Sequence, residues 1–291
     1  MISRSRAALT AFITVSALAT PSVIPTASAA DSEPLHYVAM GDSFAAAPLV
    51  LPIDPSNLLC LRSLADYPHI AAKALGAKLT DVSCSGATTE DFSAPQHSST
   101  APQYNALNQD TDIVSITIGG NDTGLVAATL NCVNLLPKPF GKSCAAEYTK
   151  SGVDTLKSDI DTWASTFNAA LSRVNRLAPN ADIFIIGYGN YIRPGGCFPT
   201  QPLWDVDATY IQETVDHLST TLKKAARTHG ATYVDTYSLG IGHDTCAAPV
   251  DKYIEGLLPT RIAAPLHPNA AGSRAIGEAL ATAVRNSAGT R

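Results

Sequence analysis

Four short segments of this 291-residue chain carry side chains suited to acyl transfer. That chemistry needs a nucleophile, a base that takes its proton, and hydrogen-bond donors for the oxygen that becomes negative. A serine, a histidine, an asparagine and a glycine in these segments offer those functions. In chain order the segments are Gly41-Asp42-Ser43-Phe44, Ser85-Gly86-Ala87, Gly119-Gly120-Asn121-Asp122 and His267-Pro268-Asn269.

Ser43 is the predicted nucleophile because it follows an apolar run typical of a buried strand. A serine at the carboxyl end of the first strand of an open α/β sheet lies where such sheets bind ligands. An ordinary turn serine is the alternative, since Gly-Asp-Ser is also a turn tripeptide. The three later segments favour the catalytic interpretation.

Asn121 is the predicted side-chain donor for the developing oxyanion. It follows two glycines at the end of another predicted strand, where a backbone without Cβ atoms can turn tightly and let substrate approach. An asparagine that only closes a turn is the alternative.

His267 is the predicted general base among the seven histidines. It precedes a predicted helix, whose N-terminus opposes positive charge and so helps to keep the imidazole neutral. The rival is His243, in Gly242-His243-Asp244.

Five short apolar runs predict the strands that position these residues, over 35–41, 78–84, 112–119, 181–187 and 231–235. Apolar residues at three- and four-residue steps predict helices over 152–178, 210–229 and 269–285. Strands that alternate with helices predict a parallel sheet covered on both faces, in one three-layer α/β/α domain. The long segments 45–63, 88–110 and 123–150 are predicted active-site loops.

Residues 1–30 are predicted to be a secretory signal peptide. Arg4 and Arg6 precede an apolar stretch over 7–19, and Ala27-Ser28-Ala29 supplies the small-residue cleavage pattern. That stretch is too short to span a bilayer, and an uncleaved anchor is the alternative. Cleavage would leave residues 31–291 as a single secreted domain of net charge about −7, which we expect to be monomeric. No basic cluster remains for nucleic acid, and no later stretch predicts insertion into a membrane.

Six cysteines remain in the exported chain, and none forms a close Cys-x-x-Cys pair typical of zinc sites. An even number in an oxidising compartment predicts three disulfides, for which fifteen connectivities exist. We favour the sequential pairs because each closes a loop between neighbouring elements. Those pairs are Cys60–Cys84, Cys132–Cys144 and Cys197–Cys246.

Taken together, the four segments resemble the sequence blocks of the GDSL/SGNH hydrolases, most closely those of the secreted bacterial lipases and esterases of that superfamily. The resemblance runs from Gly41 to Gly272. It implies a flavodoxin-like sheet of about five strands and a carboxylic ester hydrolase. We expect no cofactor, and no cluster of ligands in the sequence indicates a metal, although metal dependence stays open. It also implies Ser43 and His267 as catalytic residues, with an oxyanion hole from Ser43, Gly86 and Asn121.

The chain departs from that family's common pattern in one position. Most members carry an aspartate three residues before the histidine, where this chain has Ala264. A main-chain carbonyl replaces the carboxylate in some secreted relatives, and we expect the carbonyl of Ala264, or one beside it, to orient His267. Asp235, Asp244 and Asp251 are the carboxylates that could instead complete a triad.

Two apolar loops, within 45–61 and 125–140, predict a lipid-like ester as substrate, of the lipase, esterase or phospholipase A type. The acyl chain length and head group stay open. The alternatives are a polysaccharide acetyl esterase with the same site, and a binding protein without activity. An α/β-hydrolase is disfavoured, because Ala45 stands where the last glycine of its Gly-x-Ser-x-Gly motif belongs.

Overall fold

Five short strands form a parallel sheet at the centre of the molecule, in the order β2-β1-β3-β4-β5. The computed structural model describes residues 33–289 together with residue 8, so the predicted signal peptide lies outside the described residues except at that position. The residues from Pro34 onward form one compact unit. The strands are β1 His36–Gly41, β2 Lys78–Asp81, β3 Ile113–Thr117, β4 Asp182–Ile186 and β5 Thr232–Val234.

All five residues of β3 are buried, because neighbouring strands flank it and helices cover both its faces. The edge strand β2 ends at Asp81, three residues before the predicted end at 84. Past that point, the N–H groups of Val82 and Cys84 still donate to the carbonyls of Ala39 and Gly41, although the regular ladder has stopped.

Helices connect the strands and cover the sheet. The three long helices confirm the predicted ones, with shifted ends: α6 begins at Asp205, five residues before the predicted start at 210. The nine-residue α2, which begins after Asp66 and ends before Gly76, was not predicted. In chain order the helices are α1 Ser43–Ala46, α2 Tyr67–Leu75, α3 Leu125–Asn131, α4 Cys144–Thr149, α5 Thr155–Leu177, α6 Asp205–Thr228, α7 Tyr237–Gly240 and α8 Ala270–Ala288.

The helices form two layers, which confirms the predicted α/β/α architecture. Helix α2 packs on α8, and α5 packs on α6. The chain steps from β1 outward to β2 in one direction and from β3 through β4 to β5 in the other. Since parallel crossovers are right-handed, these opposite steps place α2 on one face and α5 and α6 on the other. Within residues 33–289, no helix combines the length and apolar character that crossing a bilayer requires.

The sheet changes direction between β1 and β3, which makes this pair the topological switch point. In open α/β sheets, ligands bind in the crevice at the carboxyl ends of the strands on either side of that point. Ser43 follows β1, and Asn121 follows β3 after two glycines. The topology therefore brings the predicted nucleophile and the predicted oxyanion donor to one crevice.

Three disulfides join the sequential cysteine pairs Cys60–Cys84, Cys132–Cys144 and Cys197–Cys246. The first ties the loop after α1 to the end of β2. Next to it, the N–H of Ser85 donates to the carbonyl of Cys60. The loop that carries Gly86 is thereby held against the loop that follows Ser43.

Two buried carboxyl groups meet where α2 begins and β2 ends. Asp66 caps α2 and accepts hydrogen bonds from the main chain and ring of His69, while Asp81 accepts one from the main chain of Ser83. The second oxygen of each carboxyl is buried and has no donor within the described part of the chain. Burial raises the pKa of Asp66 to about 8 and that of Asp81 well above its usual range, so the pair retains a proton near neutral pH.

We expect Asp81→Asn to stabilise the protein at alkaline pH. The folded protein holds a proton that the unfolded chain releases above pH 4, so its free energy of unfolding falls as pH rises toward about 8. An asparagine amide at 81 can donate to Asp66 without that proton, and denaturant unfolding at pH 9 should give a gain of about 1–3 kcal/mol. Asp110→Asn, at an exposed position, is the control. If the free energy of unfolding of wild type and of Asp81→Asn changed with pH in the same way, the carboxyl pair would not share a proton.

Candidate active site

The Ser43 hydroxyl lies at a sharp turn between β1 and the short helix α1. Gly41 ends the strand with a φ of +145°, and a Cβ there would lie 2.3 Å from the carbonyl oxygen of Thr117 in β3. Only glycine fits this close approach of the two strands. Asp42 then caps α1 by accepting the N–H of Phe44 at 2.8 Å. The turn presents half-buried Ser43 as the first residue of the helix.

The imidazole of His267 reaches the Ser43 hydroxyl. Its Nε2 lies 2.6 Å from Oγ of Ser43, and its Nδ1 lies 2.6 Å from the carbonyl oxygen of Pro265. A carbonyl can only accept, so Nδ1 carries the proton and the lone pair of Nε2 faces the hydroxyl. Burial lowers the pKa of His267 against the opposing effect of the Pro265 hydrogen bond, so the ring is a neutral base at neutral pH.

The carbonyl that orients His267 belongs to Pro265, and the expectation for Ala264 itself was wrong. Leu266 adopts a left-handed φ of 66°, which closes a tight turn ahead of the histidine. Within that turn, the carbonyl of Ala264 accepts the main-chain N–H of His267 at 3.2 Å. The Ala264 oxygen is thereby directed at the backbone of His267, and the Pro265 carbonyl faces the imidazole ring.

Two of the three candidate triad carboxylates have other partners, and the third is exposed to solvent. Asp235 accepts the N–H of Tyr237 at 3.0 Å, and Asp244 forms an ion pair with Arg193 at 3.0 Å. Asp251 is exposed, and among the described residues its main-chain carbonyl, not its carboxylate, contacts the ring of His243. Among the described residues, no carboxylate forms a hydrogen bond with His267.

The rival histidine is remote from this chemistry. The His243 ring stacks on Tyr253, with ring centroids 3.9 Å apart, and its Nδ1 contacts the carbonyl of Asp251 at 2.5 Å. It does not line the cavity at Ser43.

Glu255 holds the His267 loop in place, a role that no spacing in the sequence indicated. Its main chain donates to the carbonyl of His267 at 3.0 Å and accepts from Leu266 at 3.0 Å. Its carboxylate accepts from the amide of Asn269 at 2.7 Å and from the N–H of Thr260 at 2.7 Å. Burial opposes ionisation, yet these donors lower the pKa of Glu255 below its usual value. The only part of this arrangement visible in the sequence was Asn269, the Glu255 partner that caps α8 immediately after His267-Pro268.

Asn121 is fixed at the carboxyl end of β3. Gly119 precedes it with a φ of +119°, and a Cβ there would lie 2.6 Å from the ring of Trp163. One hydrogen of the Asn121 side-chain amide goes to the carbonyl of Ala87 at 2.9 Å. That bond leaves the second amide hydrogen for a ligand and connects Asn121 to the loop that carries Gly86.

Gly86 lies beside this contact, in an exposed loop with a φ of +83°. It does not itself line the cavity that Ser43, Asn121 and His267 share. Among the described residues, neither its N–H nor that of Ser43 forms a hydrogen bond. Both groups are therefore free to donate to a ligand.

A buried hydroxyl links the ends of three strands beneath the site. Tyr188, which follows β4, donates to the carboxylate of Asp42 and accepts the N–H of Gly120 at 2.9 Å. Burial raises the pKa of Asp42 to about 7, and the hydrogen bond from Tyr188 opposes that rise. Asp42 thus fixes the turn before Ser43, whose hydroxyl it does not contact.

A cavity that is partly open to solvent begins at Ser43 and His267. Its walls are mostly apolar and come from α3, the segment after β4, and α6, including Leu125, Tyr191, Ile192, Ile211 and Val215. The two loops predicted to form the walls contribute little. Of the second, only Leu125, Val126 and Thr129 line the cavity, and the leucines of the first face solvent.

One group of described side chains has the composition of a metal site. A ligand atom from each of Asp66, His69 and Asp81 lies within 4.8 Å of the others. None of the three lines the cavity at Ser43.

Comparison with known proteins gives matches over most of the chain. Residues 39–275 match the model of the GDSL-like lipase/acylhydrolase family. Lipase 2 of Streptomyces coelicolor is 41% identical over 254 residues, which cover 84% of each protein. A lipase of Streptomyces rimosus is 31% identical and covers 84% of this chain and 86% of its own length.

Two solved structures are similar to this chain over most of its length. The phospholipase A1 of Streptomyces albidoflavus NA297 superposes with a TM-score of 0.71 at 28% identity, over 86% of this chain and 99% of that one. The extracellular lipase of Streptomyces rimosus superposes with a TM-score of 0.72 at 26% identity, over 85% of this chain and 99% of that one.

Proposed function

Because the chain belongs to the GDSL-like lipase/acylhydrolase family and is therefore a carboxylic ester hydrolase, we propose that it hydrolyses lipid-like esters through an acyl-Ser43 intermediate. The observation that carries this proposal is the 2.6 Å contact between Nε2 of His267 and Oγ of Ser43, at the mouth of an apolar cavity. A binding protein without activity would not need a serine and a neutral imidazole in this contact.

In the acylation step, His267 Nε2 takes the Ser43 proton while Oγ attacks the ester carbonyl. The carbonyl oxygen becomes negative and accepts hydrogen bonds from the N–H groups of Ser43 and Gly86 and from the Asn121 amide. His267 then gives the proton to the departing alcohol oxygen as the ester C–O bond breaks. In deacylation the oxygen of a water molecule attacks the carbonyl carbon of the acyl-enzyme while His267 takes a proton from that water. The bond between the carbonyl carbon and Oγ of Ser43 then breaks, His267 gives the proton to Oγ, and the fatty acid leaves.

In a catalytic triad a carboxylate orients the histidine, and here the Pro265 carbonyl does so. It accepts Nδ1–H at 2.6 Å and so holds Nε2 as the lone-pair nitrogen toward Ser43. A neutral carbonyl stabilises the imidazolium formed during the reaction less than a carboxylate would. The lowered pKa of His267 fits this arrangement, because no carboxylate raises it.

The substrate class follows from the cavity walls. Apolar side chains behind a nucleophile favour an acyl chain, whose burial contributes about 0.8 kcal/mol per methylene group. A polysaccharide acetyl esterase would leave most of this cavity unused. The curated relatives described above are lipases, which favours the same class.

A chain-length series tests the substrate class. We expect kcat/KM to rise from p-nitrophenyl acetate to the octanoate, with Ser43→Ala as the blank. Val215→Phe narrows the cavity from α6 and should lower kcat/KM for the octanoate about tenfold, without changing that for the acetate. Val206→Phe is the matched control, because Val206 lies on the same helix but outside the cavity. Fast turnover of acetate alone would support the acetyl esterase instead.

Residues 1–30 are proposed to be removed on export, which leaves residues 31–291 as a secreted hydrolase domain. The signal-peptide pattern supports this proposal, as do six cysteines that all lie in disulfides. N-terminal sequencing of protein recovered from the medium should begin near Asp31, and an intact Met1 would contradict it.

A further inference from the structure

Large apolar side chains are exposed mainly in three loops. Of the 19 that the described surface exposes, 13 belong to the loops 48–64 and 256–266 and to 126–140, which comprises most of α3 and the loop after it, so their distribution is strongly uneven. We call these three loops the apolar rim. The exposed fraction reaches 81% at Leu135, 71% at Phe140, 68% at Leu258, 66% at Ile262 and 61% at Leu51.

The apolar rim adjoins the cavity through its second and third loops. On the His267 side, the N–H of Ala264 donates to the carbonyl of Pro48 at 2.9 Å, which joins the third loop to the first. The third loop also reaches the cavity wall, because the N–H of Leu257 donates to the side chain of Gln201 at 2.9 Å.

The second loop also contacts the cavity wall. The N–H of Asn134 donates to the carbonyl of Pro202 at 2.8 Å, between the cavity-lining residues Gln201 and Leu203. The same loop begins at Val126, which also lines the cavity. The segments that carry the exposed apolar side chains therefore join the wall of the cavity, and the exposed Val126 belongs to both.

The apolar rim carries few charges, and most of them are paired. In the first loop Arg62 forms an ion pair with Asp54 at 2.7 Å, and in the second Lys138 pairs with Asp205. Arg261 in the third loop donates to a main-chain carbonyl. Attraction to anionic lipid needs a cluster of cations, which these loops lack, and the chain has a net charge of −5.

We propose that the apolar rim docks on the surface of a neutral or zwitterionic lipid aggregate, so that the cavity opens directly into the lipid. This inference rests on the proposed function, since it names the physical state in which that site meets its substrate. Contiguous exposed apolar side chains around a binding site are typical of surfaces that contact a membrane or partner. Docking removes them from water and lets an acyl chain pass into the cavity without crossing water.

Vesicle binding tests the proposal. The Ser43→Ala protein, which leaves the lipid intact, is sedimented with phosphatidylcholine vesicles. We expect binding that Leu135→Ser or Ile262→Ser, added to this background, weakens about tenfold each. Leu35→Ser is the matched control, because Leu35 is also exposed but precedes the first residue of β1. It therefore lies at the amino ends of the parallel strands, whereas Ser43 follows their carboxyl ends. Vesicles that contain phosphatidylglycerol should bind no more tightly.

Soluble substrate separates this proposal from the catalytic one. With Ser43 present, Leu135→Ser should hydrolyse dissolved p-nitrophenyl butyrate at the wild-type rate. If wild type cleaves that ester but vesicle binding is absent, equal in all variants, or dependent on anionic lipid, the docking proposal is overturned and the proposed function stands. If wild type cleaves no ester, the proposed function fails. A wild-type dimer that Leu135→Ser dissociates would show that a second copy covers the apolar rim, which also overturns docking.

Discussion

Alanine at either Ser43 or His267 is expected to lower kcat for ester hydrolysis by about 10⁴- to 10⁶-fold. In the proposed mechanism the two side chains act as one unit, because the hydroxyl is a weak nucleophile until Nε2 of His267, 2.6 Å away, takes its proton. Residues that act as a unit are strongly non-additive when removed. The double variant should therefore be about as slow as either single variant.

The control for this double-mutant comparison is His243→Ala. It removes the histidine that the sequence offered as the rival base, and it should retain wild-type kcat. Both sets of variants are compared at equal folded fractions, measured by thermal unfolding. An additive loss in the double variant, or a His267→Ala enzyme within tenfold of wild type, would contradict the dyad.

Asn121→Ala is expected to lower kcat about 10²- to 10³-fold while KM changes little. In the proposed mechanism the amide donates to an oxygen that becomes negative as the transition state forms, so we expect its removal to leave ground-state binding nearly unchanged. Steady-state kinetics on one soluble ester measures the two constants separately.

Asn180→Ala is the matched control for Asn121→Ala. Asn180 also donates its amide to a main-chain carbonyl, that of Gln109 at 2.9 Å, but it lies outside the cavity. An equal loss in both variants would assign the effect to general destabilisation, and a rise in KM at constant kcat would make Asn121 a substrate-binding residue only.

The sequence predicted the parts of the site that local chemistry determines. Gly41 and Gly119 stand where the backbone turns against Thr117 and Trp163, so glycine near a strand end marked both turns. The alternation of strands and helices predicted the parallel sheet, and the order of the segments placed Ser43 and Asn121 at strand ends.

Features that depend on tertiary contacts were not predictable. The left-handed conformation of Leu266 decides that Pro265, and not Ala264, faces the imidazole, and leucine gives no local signal for it. Glu255 contacts the His267 loop only through folding of the chain between them. The cavity walls come from Ile211 and Val215, whose helical spacing indicated burial but not which side would adjoin Ser43. The short helix α2 carries an Asp66 cap and a Gly76 end, signals that a search for long apolar periodicity overlooks.

The central claim is that Ser43 is a nucleophile activated by His267 in a cavity that Asn121 also lines. Labelling with an alkyl fluorophosphonate, located by tandem mass spectrometry, tests it most directly. We predict a single adduct on Ser43 in the wild-type protein and almost none in His267→Ala at the same exposure time. An unlabelled folded protein, an adduct on another residue, or equal labelling without His267 would contradict it.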